Sequence, residues 1–447
     1  MEKLTVDFGK VKGKIKAMNA VGQPPLQGAN TKAFSYLKDA NIPFSRLHDV
    51  GGMFGQNLWV DIPNIFRDFD ADETKEENYD FAFTDILIKG LIENNCYPIF
   101  RLGVTIENYF YIKAYRIFPP KDFAKWARIC EHIIRHYNEG WADGFHYDIK
   151  YWEIWNEADN GPNLQTNSMW HGTKEQFYEF YAVAAKHLKS VFGDNIKVGG
   201  YGSSGVGFAL TDPEKYGLDI EPMPTDIYMS ERGQYMLDFF DEFMDYIKKE
   251  GAPMDFFSWH AYGLSPEQTV ACTLYIDKKL AECGCSYAEN QLNEWSVAPT
   301  SKLQGTVKAA AKCVATMCLM QDTSTNILCL YDARMSSSMY AAVFNSLTKK
   351  PYPLYFALKA FGELYALGNQ VESEITGEEL YVQAAEKDGK KAVLISNASD
   401  VAKEIETNLD ADMKAYIIDE GLELEPDGTK SDKFIIPGSR TILFKNY

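Results

Sequence analysis

The chain lacks any excess of positive charge and any long apolar run. Its 447 residues carry a formal net charge of -18 with a pI near 4.9, whereas surfaces that bind nucleic acid or anionic membranes need basic patches. The start, Met-Glu-Lys-Leu-Thr-Val-Asp, has no apolar leader, and no later run reaches membrane-spanning length. We therefore expect a cytoplasmic protein with no nucleic-acid or membrane partner. A secreted protein whose leader has been removed would look the same.

Patterns for metal or redox chemistry are also scarce. Of the eight cysteines only Cys283 and Cys285 lie close together, and this pair is too near for a usual zinc half-site and has no second pair. Reduced, mostly buried thiols are the plainest interpretation. His132 and His136 have i,i+4 spacing without the intervening glutamate of a zincin helix, so we expect them on an exposed helix face. We expect neither a metal nor an organic cofactor.

What the chain does have is a regular alternation of short apolar runs and amphipathic helical stretches, which is typical of a parallel sheet. Strands are predicted at Ile15–Asn19, Phe44–Leu47, Pro98–Leu102, Tyr151–Asn156, Ile196–Gly200, Asp255–His260, Ala288–Asn293 and Asn326–Leu330. Helices are predicted at Lys121–Tyr137, Lys174–Val191, Gln234–Lys249, Glu267–Glu282, Val307–Gln321 and Leu354–Leu367. Eight strands fit an α/β (β/α)₈ TIM barrel. An open doubly wound sheet is the alternative, but no glycine-rich phosphate loop follows the first strand.

The pattern changes near Val371, where short strand-like runs follow one another without a convincing helix. These runs are Tyr381–Glu386, Ala392–Ser396, Ala415–Ile418 and Thr441–Lys445. We predict a catalytic barrel at 11–370 and a small C-terminal β-sandwich-like domain at 371–447, to which residues 1–10 can add a strand. No Gly/Ser- or Pro-rich linker separates the two, so the β-domain is expected to pack on the barrel as support.

Two predicted strands end on a glutamate. Tyr151-Trp-Glu-Ile-Trp-Asn-Glu157 stops on Asn156 and Glu157, and regular alternation cannot aim both into one cavity, so the strand must bulge or end there. Ala288-Glu-Asn-Gln-Leu-Asn-Glu294 has the same character. A single buried glutamate is more often an ion pair, as we expect for Glu153. Two at the C-terminal ends of different barrel strands indicate catalysis, and paired carboxylates can hydrolyse a glycosidic bond.

Other candidates flank these two strands. Trp155, Trp170 and Trp295 are candidate sugar platforms, since sugar C–H faces stack on indole rings. His260 and Tyr262, at the end of the sixth strand, are expected to orient Glu294 and keep it ionised.

Three residues near the second and third strands are weaker candidates for contacts with a sugar or a carboxylate. They are Arg46, His48 and Arg101.

These motifs resemble those of a retaining glycoside hydrolase from the (β/α)₈ clan that carries both catalytic glutamates on strands four and seven. Within that clan the chain is most similar to family 39, the β-xylosidase and α-L-iduronidase family. The resemblance rests on Trp155-Asn156-Glu157, on Trp170–Thr173 with Phe177–Tyr181, on Ser258–Tyr262 and on Asn293-Glu294-Trp295.

The resemblance implies a double displacement, with Glu157 as acid/base and Glu294 as nucleophile, while Asn156 binds the sugar's 2-hydroxyl. The expected substrate is a glycoside or short oligosaccharide, cleaved from its end in a β-xylosidase-like reaction. Three features depart from the family pattern: Ala158 stands where proline is usual, Asn293 stands where threonine is more common, and Arg46-Leu-His48-Asp49 matches the second-strand motif only in part.

Several alternatives stay open at this point. The glycone could instead suit an arabinofuranosidase, a β-glucosidase or a β-galactosidase of the same clan. An α-L-iduronidase-like enzyme would need a basic subsite, for which Arg46, Arg101 and Arg334 are the candidates. A non-catalytic carbohydrate-binding barrel is a further alternative, although it would need neither glutamate. The sequence also leaves a homo-oligomer open.

Overall fold

A computed structural model shows a closed barrel of eight parallel strands, β2 to β9, in chain order. It describes residues 1–51, 58–106, 116–162, 167–224, 227–297, 302–335, 340, 342–419, 424–427 and 432–447, with only the backbone at 227–230 and 424–427. The barrel strands are β2 Ala17–Gly22, β3 Phe44–Leu47, β4 Tyr97–Leu102, β5 Tyr151–Ile154, β6 Lys197–Ser203, β7 Phe256–Tyr262, β8 Glu289–Ser296 and β9 Thr325–Leu330. The predicted TIM barrel is confirmed, and the two glutamates follow or end its fourth and seventh strands, β5 and β8.

Helices surround the barrel. They are α1 Ser35–Asp39, α2 Ile62–Ile65, α3 Ala82–Glu93, α4 Phe123–Asn138, α5 Lys174–Phe192, α6 Pro213–Tyr216, α7 Ile227–Glu250, α8 Pro266–Cys283, α9 Val307–Gln321 and α10 Pro353–Leu367. Capping boxes begin α5, through Thr173 and Gln176, and α8, through Ser265 and Gln268. Each box satisfies backbone N–H groups that a helix start leaves unpaired. No helix in the described part of the chain is long and apolar enough to cross a membrane.

A second, mostly antiparallel sheet of nine strands follows the barrel, in the order β15-β14-β17-β12-β11-β10-β1-β13-β16. Its strands are β1 Glu2–Lys14, β10 Asn369–Ile375, β11 Leu380–Lys387, β12 Lys390–Asn397, β13 Lys403–Thr407, β14 Lys414–Ile418, β15 Leu424–Asp427, β16 Lys433–Ile436 and β17 Arg440–Lys445. The predicted β-sandwich-like domain beside the TIM barrel is thus confirmed as a fold class, while the division into 11–370 and 371–447 stays a prediction.

The second sheet packs on the barrel through α9 and α10. Leu394 and Leu443 are fully buried in the same apolar cluster as the barrel core, whereas their neighbours Val393 and Phe444 belong to a separate cluster on the opposite face. This division follows from the alternation of side chains along a strand. The Ser396 hydroxyl also donates to a carbonyl of α9 at 2.7 Å. The sheet is therefore held by one apolar face and not by a linker.

One minor prediction was wrong. His136 is only 2% exposed, with Nε2 3.0 Å from the Asp85 carboxylate and Nδ1 2.9 Å from the Trp141 carbonyl. The segment after α4 folds back over this helix face and covers it. The cysteine interpretation is confirmed, because all eight lie in described residues, buried and free of disulfides.

We expect Leu394→Ala to lower the free energy of unfolding of the whole chain by about 3 kcal/mol, because the lost side chain leaves a cavity between sheet and barrel. The near-UV and far-UV circular dichroism signals should then disappear in one thermal transition, at a lower temperature than in the wild type. Val401→Ala is the control, since Val401 is 59% exposed. An early far-UV step that leaves the near-UV signal intact would show that the sheet does not support the barrel.

Candidate active site

The Arg46 guanidinium lies at the centre of the polar cluster at the C-terminal end of the barrel. Arg46, on β3, is 1% exposed. Its Nε donates to Glu153 at 2.7 Å, its Nη1 to Glu294 at 2.8 Å and its Nη2 to Asn156 Oδ1 at 2.6 Å. A planar guanidinium with several fixed donors suits this three-way contact, and an ammonium does not. Arg46 therefore joins three barrel strands at one point.

Glu153 is the interior ion pair that the sequence predicts. Besides Arg46, its carboxylate accepts from Ser258 Oγ at 2.6 Å and from Asn293 Nδ2 at 2.7 Å. Burial alone would raise the pKa of Glu153, but the positive charge of Arg46 and these three donors hold it below the usual value. Glu153 is therefore a charged structural group beneath the site.

Local backbone irregularities aim the functional side chains. β5 ends at Ile154, and Trp155 and Glu157 then adopt the left-handed region with φ of 71° and 47°. Such conformations cost on the order of 1–3 kcal/mol each and concentrate at functional sites. In β8 the register against β7 shifts at Asn293, so that Asn293 and Glu294 both reach groups inside the barrel. The predicted bulge or strand end at Asn156–Glu157 is thus present, and β8 carries a second one.

Glu157 lies in a largely uncharged environment. Its Oε1 is 2.7 Å from His260 Nδ1 and its Oε2 accepts from Asn160 Nδ2 at 3.1 Å. Burial raises the pKa of Glu157 to about 7, against the opposing charges of Arg46 and Arg232. Burial also lowers the pKa of His260 to about 4, so the imidazole is neutral near pH 7. Glu157 can thus hold a proton at neutral pH, and desolvation is the cause.

Glu294 lies in the opposite environment. Its Oε2 accepts from Arg46, and its Oε1 accepts a short hydrogen bond from the Tyr262 hydroxyl. His260 Nε2 is 3.8 Å from Glu294 Oε2, beyond hydrogen-bond range. Of the two predicted orienting residues, Tyr262 therefore contacts Glu294, whereas His260 bonds to Glu157. One oxygen from each glutamate and one nitrogen of His260 lie within 4.8 Å of one another.

These same three residues are also the described group whose donor atoms could surround a metal ion. The atoms are engaged elsewhere, however. Both oxygens of Glu294 accept hydrogen bonds, one from a cationic guanidinium, and Glu157 is bonded to the imidazole. A divalent cation would have to displace Arg46 against its charge. The donor set therefore fits acid–base chemistry better than a metal.

The predicted aromatic platforms lie elsewhere. Trp155 is fully buried, donates to the Met169 carbonyl at 3.0 Å and packs edge-on against Trp170, which is 1% exposed. Trp295 is 3% exposed. Trp155 and Trp170 therefore pack against each other, and none of the three indoles lines the cavity beside Glu157 that is described below.

A hydrogen-bonded group of side chains follows the ends of β2, β3 and β9. The Tyr331 hydroxyl accepts from Gln23 and, at 3.0 Å, from Arg334, and it lies 3.5 Å from Asp49. Asp49 carries a pKa raised by burial to about 7. Sequence reasoning missed Gln23 and Tyr331, since each is a single polar residue just after a strand.

His48 Nε2 lies 3.2 Å from Asp49 Oδ1 of this group. His48 is 4% exposed, and its Nδ1 accepts from Arg101 Nε at 3.2 Å. Arg101 in turn is paired with the buried carboxylate of Asp61 at 2.7 Å. Among the described residues, the side chains of His48 and Arg101 are therefore both bonded to other side chains of the protein.

A cavity of about 640 Å³ opens next to Glu157. Its walls come from the ends of β5, β6 and β7 and from the segments that follow them. The described residues that line it are Glu157, Ser204, Gly207, Phe208, Thr211, Met223, Pro224, His260, Ala261, Tyr262 and Leu264. Eight of these eleven residues lie outside the barrel strands, in segments whose path the sequence pattern does not predict.

Comparisons with known proteins agree with this geometry. The sequence model of the glycosyl hydrolases family 39 matches residues 49–293, which are more than half of the chain. A β-xylosidase from Caldicellulosiruptor saccharolyticus is 25% identical over 273 residues, which are 58% of this chain and 46% of that protein. The chain thus matches less than half of that relative's length.

Solved structures share the fold. A glucosidase from Croceicoccus marinus has a TM-score of 0.78 at 20% identity, covering 100% of this chain and 98% of that one. A glycoside hydrolase family 30 subfamily 8 xylanase, Xyn30A, from Clostridium acetobutylicum has a TM-score of 0.56 at 12% identity, covering 99% of each.

Replacing Glu153, on β5, or Glu157, just after β5, by an uncharged residue should change the pH dependence of stability in opposite directions. Between pH 4.5 and about 7, Glu157 is protonated in the folded protein and ionised in the unfolded protein. The free energy of unfolding therefore falls as the pH rises through this window. Relative to wild type, Glu157→Gln should gain about 3 kcal/mol in free energy of unfolding between pH 4 and pH 8. Urea unfolding at the two pH values measures this.

Glu153→Gln is the matched control on the same strand. The pKa of Glu153 is lowered in the folded state, so its ionised form contributes stability that is present at pH 8 and lost as pH falls. This variant should lose stability at pH 8, because Arg46 then lacks one of its two carboxylate partners. Equal pH dependence in both variants would contradict the assigned environments.

Proposed function

Because the chain belongs to the family 39 glycosyl hydrolases, we propose that it is a retaining, exo-acting glycosidase of the β-xylosidase type. The observation that carries this proposal is the approach of oxygens from Glu157 and Glu294 to within 4.8 Å, in opposite electrostatic environments. Retaining enzymes hold their carboxyl groups about 5–5.5 Å apart, whereas inverting enzymes leave roughly 6.5–9.5 Å for a water molecule.

In the first step Glu294 attacks the anomeric carbon while Glu157 protonates the glycosidic oxygen. The glycosidic C–O bond breaks, an ester forms at Glu294, and the leaving group departs as an alcohol. Arg46 and Tyr262 fix both oxygens of Glu294, so that the attacking atom is held in place before the reaction. The Asn156 amide nitrogen, whose oxygen is held by Arg46, is the donor available to the sugar's 2-hydroxyl.

In the second step Glu157 removes a proton from water, which attacks the same carbon and frees Glu294. Ester formation has by then neutralised Glu294 and leaves the charge of Arg46 less compensated. A positive charge nearby favours the ionised form of Glu157, which the base role requires. His260 stays bonded to Glu157 Oε1 and positions the carboxyl through both steps.

The xylose-type glycone and the exo action both rest on the β-xylosidase relative. The uronic-acid alternative is disfavoured by the pairing of all three candidate cations. Arg46 contacts Glu153 and Glu294, Arg101 contacts Asp61, and Arg334 Nε lies 2.6 Å from Asp332. A uronate would have to compete with a carboxylate already in place.

A slow 2-fluoro xyloside should label the peptide that contains Glu294, because the fluorine destabilises the oxocarbenium-like transition state and the ester accumulates. Proton NMR of early hydrolysis of an aryl β-xyloside should show β-xylose as the first product. Label on another carboxylate, or α-xylose first, would refute the mechanism. A panel of aryl arabinofuranoside, glucoside, galactoside and uronide substrates tests the glycone separately. If one of them is cleaved faster than the xyloside, its sugar replaces xylose as the proposed glycone, and the retaining mechanism is unaffected.

Glu157→Ala should slow the release of xylose from its ester while sparing the first step for a dinitrophenyl leaving group, which needs no proton. Azide should restore turnover and give a β-xylosyl azide. For an alkyl xyloside, wild-type kcat/KM should fall above about pH 7 as Glu157 loses its proton, whereas for the dinitrophenyl xyloside, which needs no proton, this limb should be absent. The same alkaline limb with both substrates would assign the titration to another group.

A further inference from the structure

The cavity beside Glu157 is apolar over most of its described surface. Half-buried side chains of Phe208, Met223 and Leu264 face it together with Pro224 and Ala261. Among the described lining residues there is no Asn, Gln, Asp, Lys or Arg. A subsite for a second sugar needs such groups, since each buried hydroxyl that goes unpaired costs free energy.

The hydroxyl groups that line the cavity donate to the protein itself. Ser204 Oγ donates to Asp159 at 3.0 Å, and Thr211 Oγ1 donates to a backbone carbonyl at 2.9 Å. The Tyr262 hydroxyl donates to Glu294. A sugar in this cavity would find few donors for its oxygens, whereas an apolar group would lose nothing.

The apolar wall is preformed. Phe208, on the 3-10 helix Val206–Thr211, lies so close to Gly233 of α7 that a Cβ at Gly233 would be 2.3 Å from its ring. The Met223 backbone N–H donates to the Leu210 carbonyl at 2.7 Å, which ties the neighbouring segment to the same helix. Binding therefore needs little ordering of these side chains.

The position of the cavity shows which part of a substrate would occupy it. Glu157, which protonates the leaving oxygen, lines the cavity, and Glu294, which attacks the anomeric carbon, does not. The cavity therefore lies on the leaving-group side.

Building on the function proposed above, we propose that the substrates are glycosides of apolar alcohols, with an aromatic, alkyl or isoprenoid body, in preference to oligosaccharides. Glu157 gives its proton to the glycosidic oxygen, the C–O bond breaks, and the apolar alcohol leaves through this cavity.

A homologous series tests the proposal with the wild-type enzyme. Methyl, butyl and hexyl β-xylosides have nearly the same leaving-group basicity, so kcat/KM should rise about fourfold for each methylene that becomes buried, or about 60-fold for three. Hexyl xyloside should also exceed xylobiose. A flat series, or xylobiose as the better substrate, would overturn the proposal.

Matched leucine variants locate the effect. Leu264→Asn should lower the hexyl-to-methyl ratio of kcat/KM by tenfold or more, whereas Leu274→Asn, at a position 56% exposed on α8, should leave the ratio unchanged. An unchanged ratio in a folded Leu264→Asn enzyme would also overturn the proposal, and if this variant does not fold, the wild-type series decides alone. Failure of the xylosidase function is distinguishable, because the enzyme would then cleave no xyloside, and the series is repeated with the glycone from the aryl panel.

Discussion

The structure of the site depends on one buried cation. Arg46 bonds to Glu153, Asn156 and Glu294 and so fixes three barrel strands relative to one another. Burying a guanidinium is unfavourable unless carboxylates and hydrogen bonds compensate it, and here two carboxylates and an amide do so. Because each contact uses a different nitrogen, the arrangement also fixes where Glu294 points. Both the ionic balance beneath the site and the aim of the nucleophile thus follow from a residue that need not touch the substrate.

The same cation explains how two glutamates from one short segment acquire different properties. Glu153 lies directly on Arg46 and receives two further donors, so its pKa is lowered. Glu157, four residues later, is turned away by left-handed backbone and meets a neutral imidazole and an amide, so burial raises its pKa. The strain at Trp155 and Glu157 and the buried protonated acid both work against stability. A fold held by a well-packed barrel can tolerate this at its active site.

The sequence predicted the barrel and both glutamates because these depend on local signals, namely alternating apolar runs and polar residues at strand ends. It missed α3 and the short strands β10, β13, β15 and β16, and it shifted the first barrel strand by two to three residues. It predicted Trp155, Trp170 and Trp295 as sugar platforms, and all three side chains are almost fully buried. From the sequence, an indole next to a catalytic residue could equally stack on a sugar or pack in the core. For Trp155 and Trp170, only the observed packing of one ring against the other distinguishes the two. The roles of Arg46, His260 and the lining of the cavity depend on contacts between distant segments, which local pattern cannot supply.

The most direct test of the account is the titration of Glu157 itself. Carbon-13 NMR of the free enzyme labelled only in glutamate carboxyls should show one resonance that titrates near pH 7 and is missing from Glu157→Gln. Asp49, whose pKa is also raised to about 7, stays invisible in this labelling scheme. The account predicts that this resonance titrates together with the alkaline limb of kcat/KM. A Glu157 resonance that titrates near the ordinary value of about 4.3 would contradict it, since neither the proton donor nor the division of the two carboxyls would then exist.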